Sequence, residues 1–382
     1  MVDIFDRRRL AHVTALHLYK ETQNAALLVQ ASCTEAACSQ IREFYLDGGC
    51  CERVIIYLHS PGCRWAAQSD GGCYMCGHWA GTKQGQTIPS SLIVEQVHSE
   101  LAKYDWAKYP VLCVYNAGSF TCDREITPQA RREILQAIGG VPELKLLIVE
   151  SRPEFITPPM AEQFASLVPF HVQVGVGLES ASDRIRRLCI NKGFEREDFE
   201  LAIATLNQAG VGSLAYVLLK PPFLTEIEAI EDAVDSVRYA FEVGVEAVSL
   251  EPVSVQPHTL IERLHDAGVY RVPWTWSVRE VIRATAHLGD VRIGGFEYHP
   301  APYTIVHNCP DCDEAAYNAI AHYNATKDLG PLNALDCSCI GAWEAECGLS
   351  TEPLEQRIIS DCLAVHDASR QSHWGVTVPC VS

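Results

Sequence analysis

Between about residue 51 and residue 252 the chain repeats one pattern. A short apolar, β-branched run ends in polar residues, and a stretch with helical spacing follows. The runs fall at 54–58, 111–115, 144–149, 171–176, 214–219 and 247–250. Unbroken apolar runs of this length fit strands buried on both faces, which is how parallel strands read. The intervening stretches carry helix signals: Thr127-Pro128 opens one in cap-then-proline order, and Gly210 stops another. Strand, helix and parallel strand imply right-handed crossovers. Six such units fall short of the eight that close a barrel. The expectation is therefore an α/β chain built on a partial, open (β/α)6 barrel.

In such barrels the chemistry lies where the strands end. Those ends carry a cysteine loop, Asn116 to Phe120, Glu150 with Arg152, Glu179 with Ser180, Lys220, and Glu251. Polar groups recurring at one end would be costly if simply buried, and one lined mouth accounts for all six. Gly118 permits close backbone approach, and the Asn116–Ser119 turn offers amide donors; an ordinary strand-ending turn is the plainer reading. Glu179 either accepts from a ligand or pairs with Arg152 or Lys192. Glu150 and Arg152 either pair with each other or grip a zwitterion, since arginine holds a carboxylate through two parallel bonds. Lys220, stiffened by Pro221 and Pro222, is a binding candidate.

The loop after the first run is rich in glycine and holds Cys63, Cys73 and Cys76 as C-x9-C-x2-C. Three thiolates can hold three irons of a [4Fe–4S] cube and leave the fourth open to an external chelate. An open iron is what S-adenosylmethionine (SAM) needs if one electron is to cleave it to a 5′-deoxyadenosyl radical. Asn116, Gly118, Ser119 and Glu179 are then the candidates to hold SAM. Zinc is the rival metal, but a structural zinc wants four protein ligands and no paired C-x2-C stands nearby. Met75, one of three methionines, lies within the loop as either packing or function.

Residues 1–45 read as a helical extension, with Arg7-Arg8-Arg9 most simply a solvated face. Residues 46–300 hold the barrel, and residues 301–382 form a small extension with Cys309, Cys312, Cys337 and Cys339. Two close pairs of cysteines suit a tetrahedral zinc, with His307 a substitute ligand, a second iron–sulfur cluster the alternative and free thiols the plain case. Arg271, Trp274 and Trp276 either seal the barrel edge or stack on a base. The seventeen cysteines, with no leader-like start, read as reduced thiols and metal ligands of a cytoplasmic protein. No apolar run is long enough to span a membrane. The formal charge of −18 gives no global pull on nucleic acid, so any tRNA needs a local basic patch or a partner that brings it.

The cluster-loop spacing resembles that of the Elongator-catalytic-subunit branch of radical SAM proteins. The remaining motifs are closer to the radical SAM subunit of archaeosine synthesis. They are Gly118-Ser119-Phe120, Glu150-Ser151-Arg152-Pro153-Glu154, Gly177-Leu178-Glu179, Ile190-Asn191-Lys192-Gly193, Lys220-Pro221-Pro222-Phe223-Leu224-Thr225-Glu226, Val255-Gln256 with Thr259, Tyr270-Arg271 with Pro273-Trp274 and Trp276-Ser277, and Asn308-Cys309 with Cys312. The resemblance covers about residues 55–340. It implies that a partner attaches lysine, through its side-chain amine, to a cyano-deazaguanine in tRNA. The radical enzyme then takes a hydrogen from that side chain, with an external electron donor, and C–N cleavage leaves the amidine of archaeosine. Glu150 with Arg152, or Glu179 with Lys192, is expected to hold the lysine tail. The alternatives are a radical SAM enzyme acting on a free nucleoside or small amine adduct, and a non-catalytic metal-bound scaffold.

Overall fold

The computed structural model describes residues 4–23, 35–295, 301–350 and 352–373. Its sheet has eight strands in sequential order. They are β1 (Cys38–Leu46), β2 (Gly49–Tyr57), β3 (Val111–Tyr115), β4 (Leu146–Ser151), β5 (His171–Glu179), β6 (Gly212–Leu219), β7 (Ala247–Pro252) and β8 (Asp290–Ile293). The six expected runs are β2 to β7, all parallel, so the partial open β/α barrel holds.

Two further strands extend it. β8 adds a short parallel strand beside β7. β1 pairs antiparallel with β2, where the sequence reading expected helix. The helix of that region covers Ile4–Gln23 instead, and residues 24–34 lie outside the described part. Of the side chains of β1 only Phe44 is buried, so its polar residues conceal a strand period. The signal that could have found it is Asp47-Gly48, whose φ of 52° and 85° fit a tight hairpin turn.

Strand alternation sorts the apolar residues into two layers. Val54 and Ile56 face outward into the main core beneath the helices. Ile55, Tyr57, Val111, Cys113, Ile148 and Leu214 form a separate inner cluster with Phe44. Fully burying one such side chain stabilises by about 1.5–3 kcal/mol, and the outer layer has far more of them. Helix Asp313–Thr326 lies against β1, β2 and β8 and so covers the gap between the first and last strands. It is fixed there by Tyr323 Oη donating to the Val291 carbonyl at 2.9 Å and by Asn324, which both donates to and accepts from the Ile293 backbone. Among the described residues no helix is long and apolar enough to cross a membrane.

Candidate active site

The cysteine loop leaves β2 and has little regular structure, so its backbone groups need partners from elsewhere. Four separate parts of the chain supply them. From the N-terminal helix, Lys20 Nζ donates to the carbonyls of Gln68 and Gly71. From the turn after β5, Asn191 Nδ2 donates to Asp70 and Gly72, while Trp65 Nε1 donates to the Asn191 carbonyl at 2.8 Å. From the segment after β7, Gln256 Oε1 accepts the Gly77 amide at 2.6 Å. From the loop after β3, Glu125 accepts the Arg64 amide at 2.8 Å. Asn191 and Gln256 came from the family motifs; their task here is to hold this loop. Gly193, at φ +75°, makes room for Trp65, whose ring would lie 2.4 Å from an added Cβ.

Cys63, Cys73 and Cys76 converge closely enough that Cys73 raises the pKa of the other two. Burial lifts Cys63 to about 11 and pushes Cys73 and Cys76 upward as well. Such thiols stay protonated unless a metal displaces the proton. The three sulfurs do not all lie within 4.8 Å of one another: among the described residues, the one set of three or more thiol, imidazole or carboxylate donors that close is Cys309, Cys312, Cys337 and Cys339. Beside the wider trio lies a buried cation with a spare donor. Arg152 stacks 5.2 Å from the Trp65 ring centre and 5.6 Å from that of Phe194, pairs with Glu154 at 2.5 Å, and leaves Nη2 buried without a hydrogen-bond partner. Wide thiol spacing and an unspent positive donor both fit an anionic cluster better than a single ion.

A cavity of about 340 Å³ opens against the loop, lined by Cys73, Met75, Cys76, Glu150, Glu179, Lys192 and Glu251. Lys192 Nζ and Glu179 pair at 2.5 Å, a pairing the sequence reading held open. Burial works against the Lys192 charge, and Glu179 outweighs it, so its pKa lies above the ordinary lysine value. Gly177 lets the pair cross β5, since an added Cβ would lie 2.5 Å from Glu179 Oε1 and 2.6 Å from Lys192 Nζ. Glu179 itself is held at φ 65° and neighbouring Ala117 at φ 52°. Non-glycine residues in this region cost roughly 1–3 kcal/mol and gather at functional sites.

The other sequence candidates are placed differently. The amides of Asn116 and Gly118 donate to Glu150 Oε1 at 3.1 and 3.4 Å. The Ser119 amide and Asn116 Nδ2 donate to Glu125 at 2.5 and 3.0 Å. The donors of this turn are thus engaged by two carboxylates, and the space beside Gly118 is filled by Glu125, 2.0 Å from a Cβ built there. Burial raises both carboxyls to about 7. Glu125 was missed; nothing in its spacing marks it. Arg152 pairs with Glu154, not Glu150, and does not line the cavity. Ser180 is likewise buried, its hydroxyl donating to Asp232. Lys220 is not at the mouth either: it has φ 62°, and its amine meets Glu226 at 2.5 Å and Glu346 at 3.1 Å in a separate cavity.

In the tail, Cys309 lies 3.7 Å from Cys312 and from Cys337, and Cys312 lies 3.7 Å from Cys339. A tetrahedron with metal–sulfur bonds of ~2.3 Å has edges of ~3.8 Å. Trp276 is fully buried against this group and donates to Cys339 Sγ at 3.3 Å. Trp274 donates to Glu346 at 2.7 Å and stacks under Arg271 at 3.7 Å. The two rings pack against the four thiols and are not free for base stacking. His307 is turned away from the thiols, with Nδ1 on the Ile305 carbonyl.

An open β/α barrel whose first parallel strand leads into three converging thiols beside a mouth cavity is the construction of the radical SAM class. Comparison with known proteins narrows this. The chain is 32% identical over 322 residues to archaeosine synthase subunit beta of Methanosarcina acetivorans, covering 81% of this chain and 89% of that one. It is 32% identical over 295 residues to archaeosine synthase subunit beta of Thermococcus kodakarensis, covering 76% and 90%. It therefore belongs to the archaeosine synthase subunit beta family. No family model matches it. Among solved structures it is similar to the archaeal Methanocaldococcus infernus Elp3, with TM-score 0.45 and 16% identity over 60% of this chain and 59% of that one.

Proposed function

We propose that this chain is the radical SAM lyase of archaeosine formation, cleaving the C–N bond of a lysine-modified 7-deazaguanine in tRNA to leave the amidine. The observation that carries the reading is the meeting of Cys73 and Cys76 with Glu150, Glu179 and Lys192 around one cavity. Cys63, Cys73 and Cys76 are the ligands of a [4Fe–4S] cluster, supported by their wide spacing and by the unpartnered Nη2 of Arg152. That cluster, when bound, supplies the electron that cleaves SAM to a 5′-deoxyadenosyl radical. Glu150 and Glu179 present carboxylates to the cationic groups of SAM and substrate. Asn116, Gly118 and Ser119 act one step back, by fixing Glu150 and Glu125. Lys192 holds Glu179 in place and limits the negative charge at the mouth.

Cys309, Cys312, Cys337 and Cys339 are the ligands of a structural zinc, supported by 3.7 Å sulfur separations. The family name, a subunit beta, supports a partner that attaches lysine. With a charge of −18, the chain relies on that partner to bring tRNA. An external reductant feeds the cluster in the cytoplasm. The test is anaerobic reconstitution with iron and sulfide, then incubation with SAM, reductant and lysine-modified tRNA. The expected result is 5′-deoxyadenosine together with the amidine base. Turnover of the free nucleoside with none of the tRNA would replace this substrate, and absence of 5′-deoxyadenosine with either would remove the radical reading.

A further inference from the structure

The cavity does not end at the thiols. It runs down the inner face of the sheet past Tyr57, Tyr115 and Tyr216 to a second set of charges, Arg53, Arg292 and Lys327, with Glu43 on its exposed rim. Arg53 lies opposite the first residue of β3 and Tyr57 opposite the last. At ~3.3 Å per residue the two levels are ~13 Å apart. The guanidinium carbons of Arg53 and Arg292 stand 5.1 and 4.7 Å from the centre of the one Phe44 ring. Asp290 is shared between Arg292 and Lys327, at 2.7 Å from each. Arg292 also donates to Gln173, and Arg53 to Cys113 Sγ.

The bore is therefore polarised. At the mouth three carboxylates, Glu150, Glu179 and Glu251, face Lys192, with His78 beside them. At the far end Arg53 stands with Arg292 and Lys327, the last two sharing Asp290. A tRNA cannot enter such a bore, so any adduct on its base enters tip first. An amino-acid tail carries its carboxylate at the tip. An extended lysine side chain puts roughly 7–8 Å between its terminal nitrogen and the carboxylate carbon, two spans of 3.8 Å. Arg53 donates to Cys113 Sγ, two residues nearer the mouth than its own level, so its side chain shortens that depth.

Resting on the function proposed above, we infer that Arg53 and Arg292 seat the carboxylate of the substrate's amino-acid tail. The planar fork of arginine suits a carboxylate, and the tyrosine-lined middle suits the methylenes. Seating the tip this deep fixes the side-chain carbons near the mouth, where the radical forms. The two arginines set specificity and position; they are not at the reacting atoms.

The test compares tRNA carrying the lysine adduct with tRNA carrying the lysinamide adduct, which differs in the carboxylate alone. With the wild-type chain, the lysinamide adduct should lose at least tenfold in kcat/KM, mostly through KM. Arg53→Gln should lose the same factor on the lysine adduct and no longer distinguish the two, with iron content and SAM binding unchanged. Arg53→Lys should restore part of the preference, and it replaces Arg53→Gln if that variant does not fold. Equal use of both adducts by the wild type, or undiminished discrimination in the Arg53 variant, overturns the inference while leaving the proposed function standing. Failure of both adducts to yield 5′-deoxyadenosine overturns the inference and the proposed function together.

Discussion

Replacing Glu125 with alanine separates an anchoring role from a ligand-binding one. Its carboxylate is buried and accepts from Arg64 N at 2.8 Å, Asn116 Nδ2 at 3.0 Å and Ser119 N at 2.5 Å. Removal leaves three buried donors unpaired, at about 1–3 kcal/mol each, or roughly 3–9 kcal/mol together. Against this stands relief of the buried carboxyl, whose pKa is raised from 4.5 to about 7. At 1.36 kcal/mol per pKa unit that relief is about 3 kcal/mol at most. Orphaned donors win, with a net loss of roughly 3 kcal/mol. Guanidinium unfolding of the metal-free chain should shift down by about half a molar or less. Anaerobic reconstitution should show a matching loss of iron, because Arg64 neighbours Cys63. Glu125→Gln keeps one acceptor and should fall about midway. If Glu125→Ala unfolds at the wild-type denaturant concentration and takes up full iron, Glu125 is no anchor; lost turnover alone would make it a ligand-binding group.

Three further perturbations test other parts of the structure. Asp232 has its pKa raised from 3.8 to about 7 by burial, so its contribution to folding is complete below about pH 4 and is lost as pH rises through 7. Asp232→Asn should flatten the fall in stability of the metal-free chain between pH 5 and pH 8; an unchanged slope in thermal melts would count against it. Gly193→Ala adds a Cβ at φ +75°, 2.4 Å from Trp65, and should destabilise by more than the ~1–2 kcal/mol of a left-handed alanine, read from denaturant midpoints. Cys312→Ser should remove about one equivalent of zinc while iron content stays at the wild-type level, measured by elemental analysis; joint loss of both metals would tie the two sites together.

The six central strands were legible because strands buried on both faces leave unbroken apolar runs. β1 and β8 were not, since edge strands keep polar residues on their open side, and only Asp47-Gly48 advertised a hairpin. Cysteine spacing made the tail group legible, because C-x2-C and C-x-C put thiols near one another whatever follows. The partners of the mouth residues were another matter. Strand-end logic put Lys220 at the mouth, yet Lys220 has a left-handed backbone and its amine meets Glu226, six residues on, and Glu346, far along the chain. Glu150 and Arg152 were read as either a mutual pair or a joint grip on a zwitterion. Alternation along a strand does place i and i+2 on one face, but Arg152 lies past β4, where that rule lapses.

The glycines expose the same limit from the other side. Gly118 and Gly177 invite the reading that a missing Cβ makes room for a cofactor. Here the space at each is already filled by a carboxylate of the protein, Glu125 at the first and Glu179 with its lysine at the second. Both arrangements bring a costly buried charge close to the cysteine loop, and both are held by groups drawn from distant parts of the chain. On the function proposed above, a cysteine loop that leaves one iron open has no fourth ligand to stiffen it. Its rigidity has to come from outside, and Lys20, Glu125, Asn191 and Gln256 provide it from four directions. Loss of any one of these anchors should therefore loosen the loop without removing a ligand, so cluster occupancy should fall in graded steps, unlike the complete loss expected when Cys63, Cys73 or Cys76 is replaced.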